Sequence, residues 1–264
     1  MSETVGVIGA GRMGLPIIGH LARKGFRTLA TDVNLAKKAE VEARKAQWAP
    51  DAIALVRDCS VILVCVGFDR ELRDLFSQIK PRADAIVAVL STVHPRTVQQ
   101  LAGEAQGFHV IDSTVCRGGR AADEGTLLSF VGGPAEVVER ITPVLRAYST
   151  DVVHAGGVGS AQVAKAVNNL ILWACLVADH EGLALARKFG LDTEMLRRAL
   201  ALSSAANDAL AKWGTQTMAW AEDDMAIVAE MAAECGIALP QAALNREICR
   251  ALKPRRYKLD EYGR

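Results

Sequence analysis

The chain has 264 residues, enough to bury a full core as one large or two moderate domains. Half of it is hydrophobic, 23% is charged and the net charge is +1, which excludes the one-sign field of a nucleic-acid or membrane-surface binder. The six cysteines (59, 65, 116, 175, 235 and 249) and five histidines show no metal-ligand spacing, so no metal is expected and the thiols read as reduced and cytoplasmic.

The N-terminal residues SETVGVIGAG start on a strand and turn, and no secretory leader is expected. Residues 5–9 (VGVIG) form a first buried strand that passes into GAGRMGLPIIGHLARKGF, and RTLATD is the second strand. Short apolar runs at 60–66 and 85–90 have the character of strands buried on both faces of a parallel sheet. Further strands are expected at 108–112, 127–131 and 152–157. A proline-free stretch from His154 to Gly190 then offers a helix of roughly 45 Å. Asp179, His180 and Glu181 interrupt its apolar run, too soon for a membrane span. Three periodic segments follow, TEMLRRALALSSAANDAL, DDMAIVAEMAAECG and PQAALNREICRAL, and the tail KPRRYKLDEYGR reads as a solvated end. Strand–helix alternation stops at the long helix. The expected organisation is therefore an α/β Rossmann-type domain with a mostly parallel sheet (1–157), followed by a long interdomain helix and an all-helical domain (158–264).

Gly9, Gly11 and Gly14 stand in the order G-x-G-x-x-G at a strand-to-helix junction, with Asp32 at the end of the second strand. In that context the motif is a dinucleotide fingerprint, in which bare backbone approaches a pyrophosphate and the helix N–H groups bind it. A carboxylate at Asp32 accepts from ribose hydroxyls and repels a 2′-phosphate, so NAD is favoured over NADP. Lys37 and Lys38 belong to a charged helical stretch and read as a solvated face. Ser91 and Thr92 precede a helix and either cap it or contact a ligand. The Cys116-Arg117-Gly118-Gly119 turn is an open, positively charged segment, where an arginine beside backbone N–H groups either receives a carboxylate or sulfonate or forms a surface ion pair. Lys165 and Asn169 share one face of the long helix at i,i+4. Spacing alone leaves Lys165 as either a snorkelling surface residue or a member of a site.

These stretches together resemble the β-hydroxyacid dehydrogenase family over almost the whole chain. Gly9–Gly14 with Met13 and Pro16 resemble its G-x-G-x-M-G-x-P motif, and Ser91-Thr92 with Pro95 its S-T-x-x-P loop. Asp112–Gly119 resemble its D-A-P-V-S-G-G segment, and Gly156, Gly159, Lys165, Asn168 and Asn169 its G-x-x-G-x-G-x-x-x-K-x-x-N-N signature. The resemblance implies a catalytic Lys165 with Asn169, and substrate contacts at Ser91, Cys116, Arg117, Gly118 and Asn168. It implies cofactor contacts at Gly9, Gly11, Arg12, Met13, Gly14, Asp32, Val66, Thr92 and Asp224. It further implies a small carboxylate-bearing substrate, hydride exchange between a 3-hydroxy acid and its semialdehyde, a homodimer or tetramer, and neither nucleic-acid nor membrane partners.

The chain departs from the family pattern in four places. Cys116 and Arg117 stand where the family has serine and glycine, Ala161 replaces the third connector glycine, and Asp223 occupies the lysine position of a K-D pair. Two alternatives stay open: an imine or enamine reductase of the same fold, against which Lys165 speaks, and a non-catalytic NAD-binding assembly protein. A short-chain dehydrogenase is excluded because Tyr148 is followed by Val152 where that class has lysine.

Overall fold

The computed structural model describes residues 3–262. The chain forms two compact units, one ending at Lys165 and the other beginning at Ala166. In chain order the first contains β1 (Thr4–Ile8), α1 (Gly14–Arg23), β2 (Arg27–Thr31), α2 (Lys37–Ala43), β3 (Gln47–Trp48), α3 (Ala52–Asp58) and β4 (Val61–Val64). It continues through α4 (Asp69–Gln78), β5 (Ile86–Val89), α5 (Pro95–Glu104), β6 (His109–Cys116), α6 (Gly118–Glu124), β7 (Leu127–Gly132), α7 (Ala135–Leu145) and β8 (Ser149–Gly156). The helix α8 (Ser160–Lys188) starts in this unit, and α9 (Thr193–Leu200), α10 (Asp208–Ala211), α11 (Ala221–Cys235) and α12 (Pro240–Leu252) lie in the second.

Among the described residues the strands form one sheet in the order β3-β2-β1-β4-β5-β6-β7-β8. Every pairing is parallel except β6 with β7. Strand periodicity explains the layers: Val61, Leu63, Ile86 and Ala88 enter one apolar cluster, whereas Ile62, Val64, Val87 and Val89 enter the other on the opposite face. All eight are buried, each large aliphatic side chain contributing about 1.5–3 kcal/mol. The order reverses at β1, so the crossovers diverge there and leave a crevice at the carboxyl ends of β1 and β4, where open α/β sheets bind ligands.

Three elements differ from the sequence expectation. The strand β6 runs to Cys116 and pairs antiparallel with β7 through Asp112–Cys116, with Asp112 and Thr114 satisfied by the start of α8. The long segment after residue 193 breaks into α9 and α10. Ser203 Oγ donates to the Leu200 carbonyl and accepts from Ala205 N–H, and Asn207 caps α10 by accepting from Leu210 N–H. The tail is not a purely solvated end. Tyr257 N–H donates to Nε2 of buried His180 (2.9 Å), and the rings of Trp213, Tyr257 and Tyr262 lie 4.4, 5.2 and 6.4 Å from the imidazole.

By length and composition alone, the helix α8 is long and apolar enough to cross a membrane. Its Ala166, Trp173, Leu176 and Val177 instead pack with Ala209, Met218, Met225 and Val228 in the core of the helical unit.

Candidate active site

The Gly9–Gly14 turn separates structural from functional glycines. Gly9 has φ +99°, and a Cβ there would run into the Cys65 carbonyl; one on Gly14 would run into the Gly9 carbonyl. Gly11 is different. Its φ lies outside the left-handed region and a Cβ would meet nothing within 4 Å. The turn itself therefore does not require glycine at 11, and the bare backbone leaves an exposed approach at the N-terminus of α1 that fits a pyrophosphate. Asp32, just past β2, accepts from Ala10 N–H (2.7 Å) and Asn34 N–H (2.8 Å), one on each oxygen. Further lone pairs remain for ribose hydroxyls. Lys37 is paired with Glu40 at 2.8 Å and Lys38 with Glu42 at 4.0 Å, which argues against a phosphate site beside Asp32.

Arg12 reaches away from the turn. Its guanidinium makes a bidentate pair with Asp123 of α6 (2.8 and 2.6 Å) and lies over Gly119, where a Cβ would stand 2.6 Å from its Cζ. His20 Nε2 donates to the Ala122 carbonyl (2.9 Å), so the Gly9–Gly14 turn and α1 are each tied to α6. Gly119 belongs to the turn singled out from sequence, whereas Asp123 and His20 lie outside the recognisable motifs and meet it only through the fold.

The Ser91 loop follows β5. Ser91 is buried and its hydroxyl donates to the Val66 carbonyl past β4 (2.8 Å), bringing two of the expected residues together. The cap of α5 is His94, which accepts from Arg96 N–H, and not Ser91 or Thr92. Cys116 ends β6 with 3% of its surface exposed. Arg117 follows with φ +83°, an unusual value for a residue with a Cβ. Its side chain turns to the sheet edge, donating to the Thr126 carbonyl (3.0 Å) and Thr150 Oγ1 (2.8 Å) and pairing with Asp151 (2.7 Å). The turn's backbone, with α6 beginning at Gly118, is thus presented without the guanidinium.

Lys165 lies in the second turn of α8 and is half-buried. Its Nζ donates to the Val115 carbonyl at 2.8 Å and is 4.0 Å from Cys116 Sγ. Three contacts from β6 set this part of the helix. Asp112, fully buried, accepts Gly159 N–H (2.7 Å) and Gln162 N–H (2.9 Å), and Thr114 Oγ1 donates to the Ala161 carbonyl (2.9 Å). Gly132 makes room for them, since a Cβ there would clash with Asp112 Oδ1. Burial pushes the Asp112 carboxyl above the ordinary range despite the backbone N–H groups that pull it down.

In the helical unit, Asn168 Nδ2 donates to Asn169 Oδ1 (3.0 Å), and Asn169 is 4% exposed. Asp224, predicted at the cofactor, accepts from the Trp173 indole N–H (2.9 Å) inside that unit's core.

The doubly wound sheet and the Gly9–Gly14 turn define a dinucleotide-binding α/β protein. A family model described as the NAD binding domain of 6-phosphogluconate dehydrogenase matches residues 4–157, and one described as the NAD-binding domain of NADP-dependent 3-hydroxyisobutyrate dehydrogenase matches residues 159–261. A 3-hydroxyisobutyrate dehydrogenase of Pseudomonas aeruginosa is 30% identical over 213 residues, 78% of this chain and 72% of its own length. A 3-sulfolactaldehyde reductase of Escherichia coli is 26% identical, covering 92% and 88%. The structure of Mycobacterium tuberculosis 3-hydroxyisobutyrate dehydrogenase with L-serine superposes with a TM-score of 0.88 at 20% identity, over 97% of this chain and 95% of that one. The chain belongs to the β-hydroxyacid dehydrogenase family of oxidoreductases.

Proposed function

We propose that the protein interconverts a small 3-hydroxy acid and its semialdehyde by hydride transfer, with NAD as cofactor and Lys165 as general acid–base. The observation that carries this reading is the half-buried Lys165 amine, held 2.8 Å from the Val115 carbonyl and 4.0 Å from Cys116 Sγ, beside the turn that receives substrate in this family. In oxidation Lys165 takes the hydroxyl proton while the carbinol C–H electron pair departs as hydride and the carbonyl forms; in reduction it returns that proton to the oxygen. The nicotinamide of NAD, when bound, accepts or supplies the hydride. Gly11 and Met13 receive the pyrophosphate on the turn that Gly9 and Gly14 shape, Asp32 holds the ribose, and Val66 and Thr92 complete the cofactor contacts, while Arg12 is engaged by Asp123 and Asp224 by Trp173. Asn169, about one helical turn beyond Lys165 on α8, donates to the reacting oxygen. Ser91, Asn168 and the Cys116–Gly118 turn orient the acid group. With the Arg117 side chain engaged at the sheet edge, the backbone at Arg117 and Gly118 does so at the turn.

The paired state of Lys37 and Lys38 supports NAD over NADP. The family-model boundaries support residues 1–157 as the nucleotide domain and 158–264 as the long helix with the helical domain. Exposed Leu185, Phe189 and Leu202 support a homo-oligomer, and six free cysteines a cytoplasmic one. The test is turnover of 3-hydroxyisobutyrate, L-serine and 3-sulfo-substituted hydroxy acids with NAD⁺ and NADP⁺, beside cyclic imines with NADH. Lys165→Ala is expected to lower kcat and kcat/KM about 10²- to 10⁴-fold. Unchanged hydroxy-acid turnover in that variant refutes the mechanism, and NAD binding without any turnover favours a binding protein.

A further inference from the structure

The first turn of α8 carries a second polar side chain that neither motif nor spacing singles out. Gln162 is 1% exposed, so both ends of its amide need partners. They find them in one place: Oε1 accepts from Val93 N–H (3.0 Å) and Nε2 donates to the Ser91 carbonyl (2.8 Å). Only one orientation of the amide satisfies both contacts. The side chain acts as a short piece of strand, gripping the backbone on either side of Thr92. Its own backbone N–H is fixed by Asp112 at 2.9 Å.

Gln162 and Lys165 are separated by three residues, so they project from neighbouring positions of one helix face. Lys165 reaches the end of β6 and Gln162 reaches the loop after β5. Both reaches start from a turn whose backbone Asp112 and Thr114 already hold. A residue that only filled this space would be apolar at lower desolvation cost, because burying an amide is favourable only when every polar atom is matched.

We propose that Gln162 is a positioning residue for the hydroxy-acid reaction, locking the Ser91–Val93 loop to the turn of α8 that bears Lys165. This inference rests on the reading of Lys165 and Ser91 given above. The acid-orienting loop and the proton-transfer amine then keep a fixed separation, and the reacting oxygen is held at the amine when the acid group is seated. A misplacement of about 1 Å in such a constellation costs roughly 10²-fold in rate.

The test uses the full-length enzyme with NAD⁺ and whichever of 3-hydroxyisobutyrate or L-serine the wild type turns over. Gln162→Met keeps length and removes both hydrogen bonds; it is expected to lower kcat about 10²-fold while the NADH dissociation constant stays within about twofold. Gln162→Glu supplies the second readout. An ionised carboxylate accepts from Val93 N–H but faces the Ser91 carbonyl with no proton, whereas a protonated one reproduces the amide pattern. The ionisable groups set around this position are Asp112 on β6, Lys165 on α8, and His94 with Asp69 at the far end of the loop. Taking wild type and variant at each pH cancels their common effects. The ratio of wild-type to Gln162→Glu kcat is expected to shrink at least tenfold as pH falls from about 8 to about 5.5, as the buried acid takes up its proton.

The inference is overturned if Gln162→Met changes only the melting temperature, or, should that variant not fold, if the Gln162→Glu ratio is flat with pH. Lys165→Ala distinguishes the two levels. Full activity in Lys165→Ala sinks the underlying mechanism, whereas an inactive Lys165→Ala beside unimpaired Gln162 variants sinks the positioning role alone.

Discussion

Gly11→Ala separates what the Gly9–Gly14 turn needs for folding from what it needs for binding. A Cβ at Gly11 meets nothing within 4 Å and φ there suits any residue, so the ligand-free fold should gain about 0.4–1 kcal/mol from the stiffer unfolded chain. At about 2–4 °C per kcal/mol for a unit of this size, the melting temperature should hold or rise by up to about 4 °C. The same methyl occupies the approach of the phosphates. Losing one charge-assisted hydrogen bond from backbone N–H, about 1.5–3 kcal/mol, weakens NADH roughly 10- to 150-fold. Calorimetric titration measures that affinity directly, and ligand-induced melting shifts check it. At NADH one hundred times the wild-type dissociation constant the wild type gains about 2.7 kcal/mol, while a variant weakened about 100-fold gains only about 0.4 kcal/mol. Gly14→Ala is the contrast, since its methyl strikes the Gly9 carbonyl and should destabilise the unliganded protein. NADH binding within twofold of wild type in Gly11→Ala would refute this division of labour, as would a melting loss matching Gly14→Ala.

Burial holds the His180 imidazole below its ordinary pKa, with Nδ1 donating to the Leu176 carbonyl and Nε2 accepting from Tyr257 N–H. A lowered folded-state pKa leaves stability complete above the unfolded value of about 6.5 and removes it as pH falls through the folded value. The protection factor of the Tyr257 amide, taken against its intrinsic exchange rate at each pH, should therefore fall between pH 7 and pH 5 in wild type and lose that dependence in His180→Gln; pH-independent protection in wild type would contradict it. At the substrate turn, Arg117→Gly relieves a left-handed residue worth about 1–2 kcal/mol and gives up exposed contacts worth up to about 1 kcal/mol. Its melting temperature should stay within about 4 °C of wild type, and a fall beyond about 8 °C would show that the edge contacts matter more than this balance allows.

Much of the architecture was legible because it rests on periodicity. The buried runs at Val61–Val64 and Ile86–Val89, the turn at Gly9–Gly14 and the uninterrupted α8 each announce themselves locally. Where polar residues are satisfied from far along the chain, the sequence is silent. The expected strand stops at Asp112 because the partners of Asp112 and Thr114 lie 47 to 50 positions away in α8, yet those partners accompany β6 on to Cys116. The break after Leu200 depends on hydroxyl and amide caps without glycine or proline, and the tail on a histidine 77 positions earlier. Within the site, the residue types at Ser91, Cys116 and Lys165 were readable, but the direction of the Arg117 side chain was not, because Thr150 and Asp151 are brought to it only by β8 pairing with β7.

The three ties from β6 to the start of α8 work as a ruler with unequal divisions. A strand advances about 3.3 Å per residue and a helix about 1.5 Å, so Asp112, Thr114 and the Val115 carbonyl match Gly159–Gln162, Ala161 and Lys165 in only one alignment. One residue inserted between Gly159 and Lys165 would swing the amine through about 100° and carry it about 1.5 Å along the axis. The alignment of β6 with α8 accordingly tolerates exchanged side chains better than a changed chain length. Divergent relatives should be aligned across this segment without gaps.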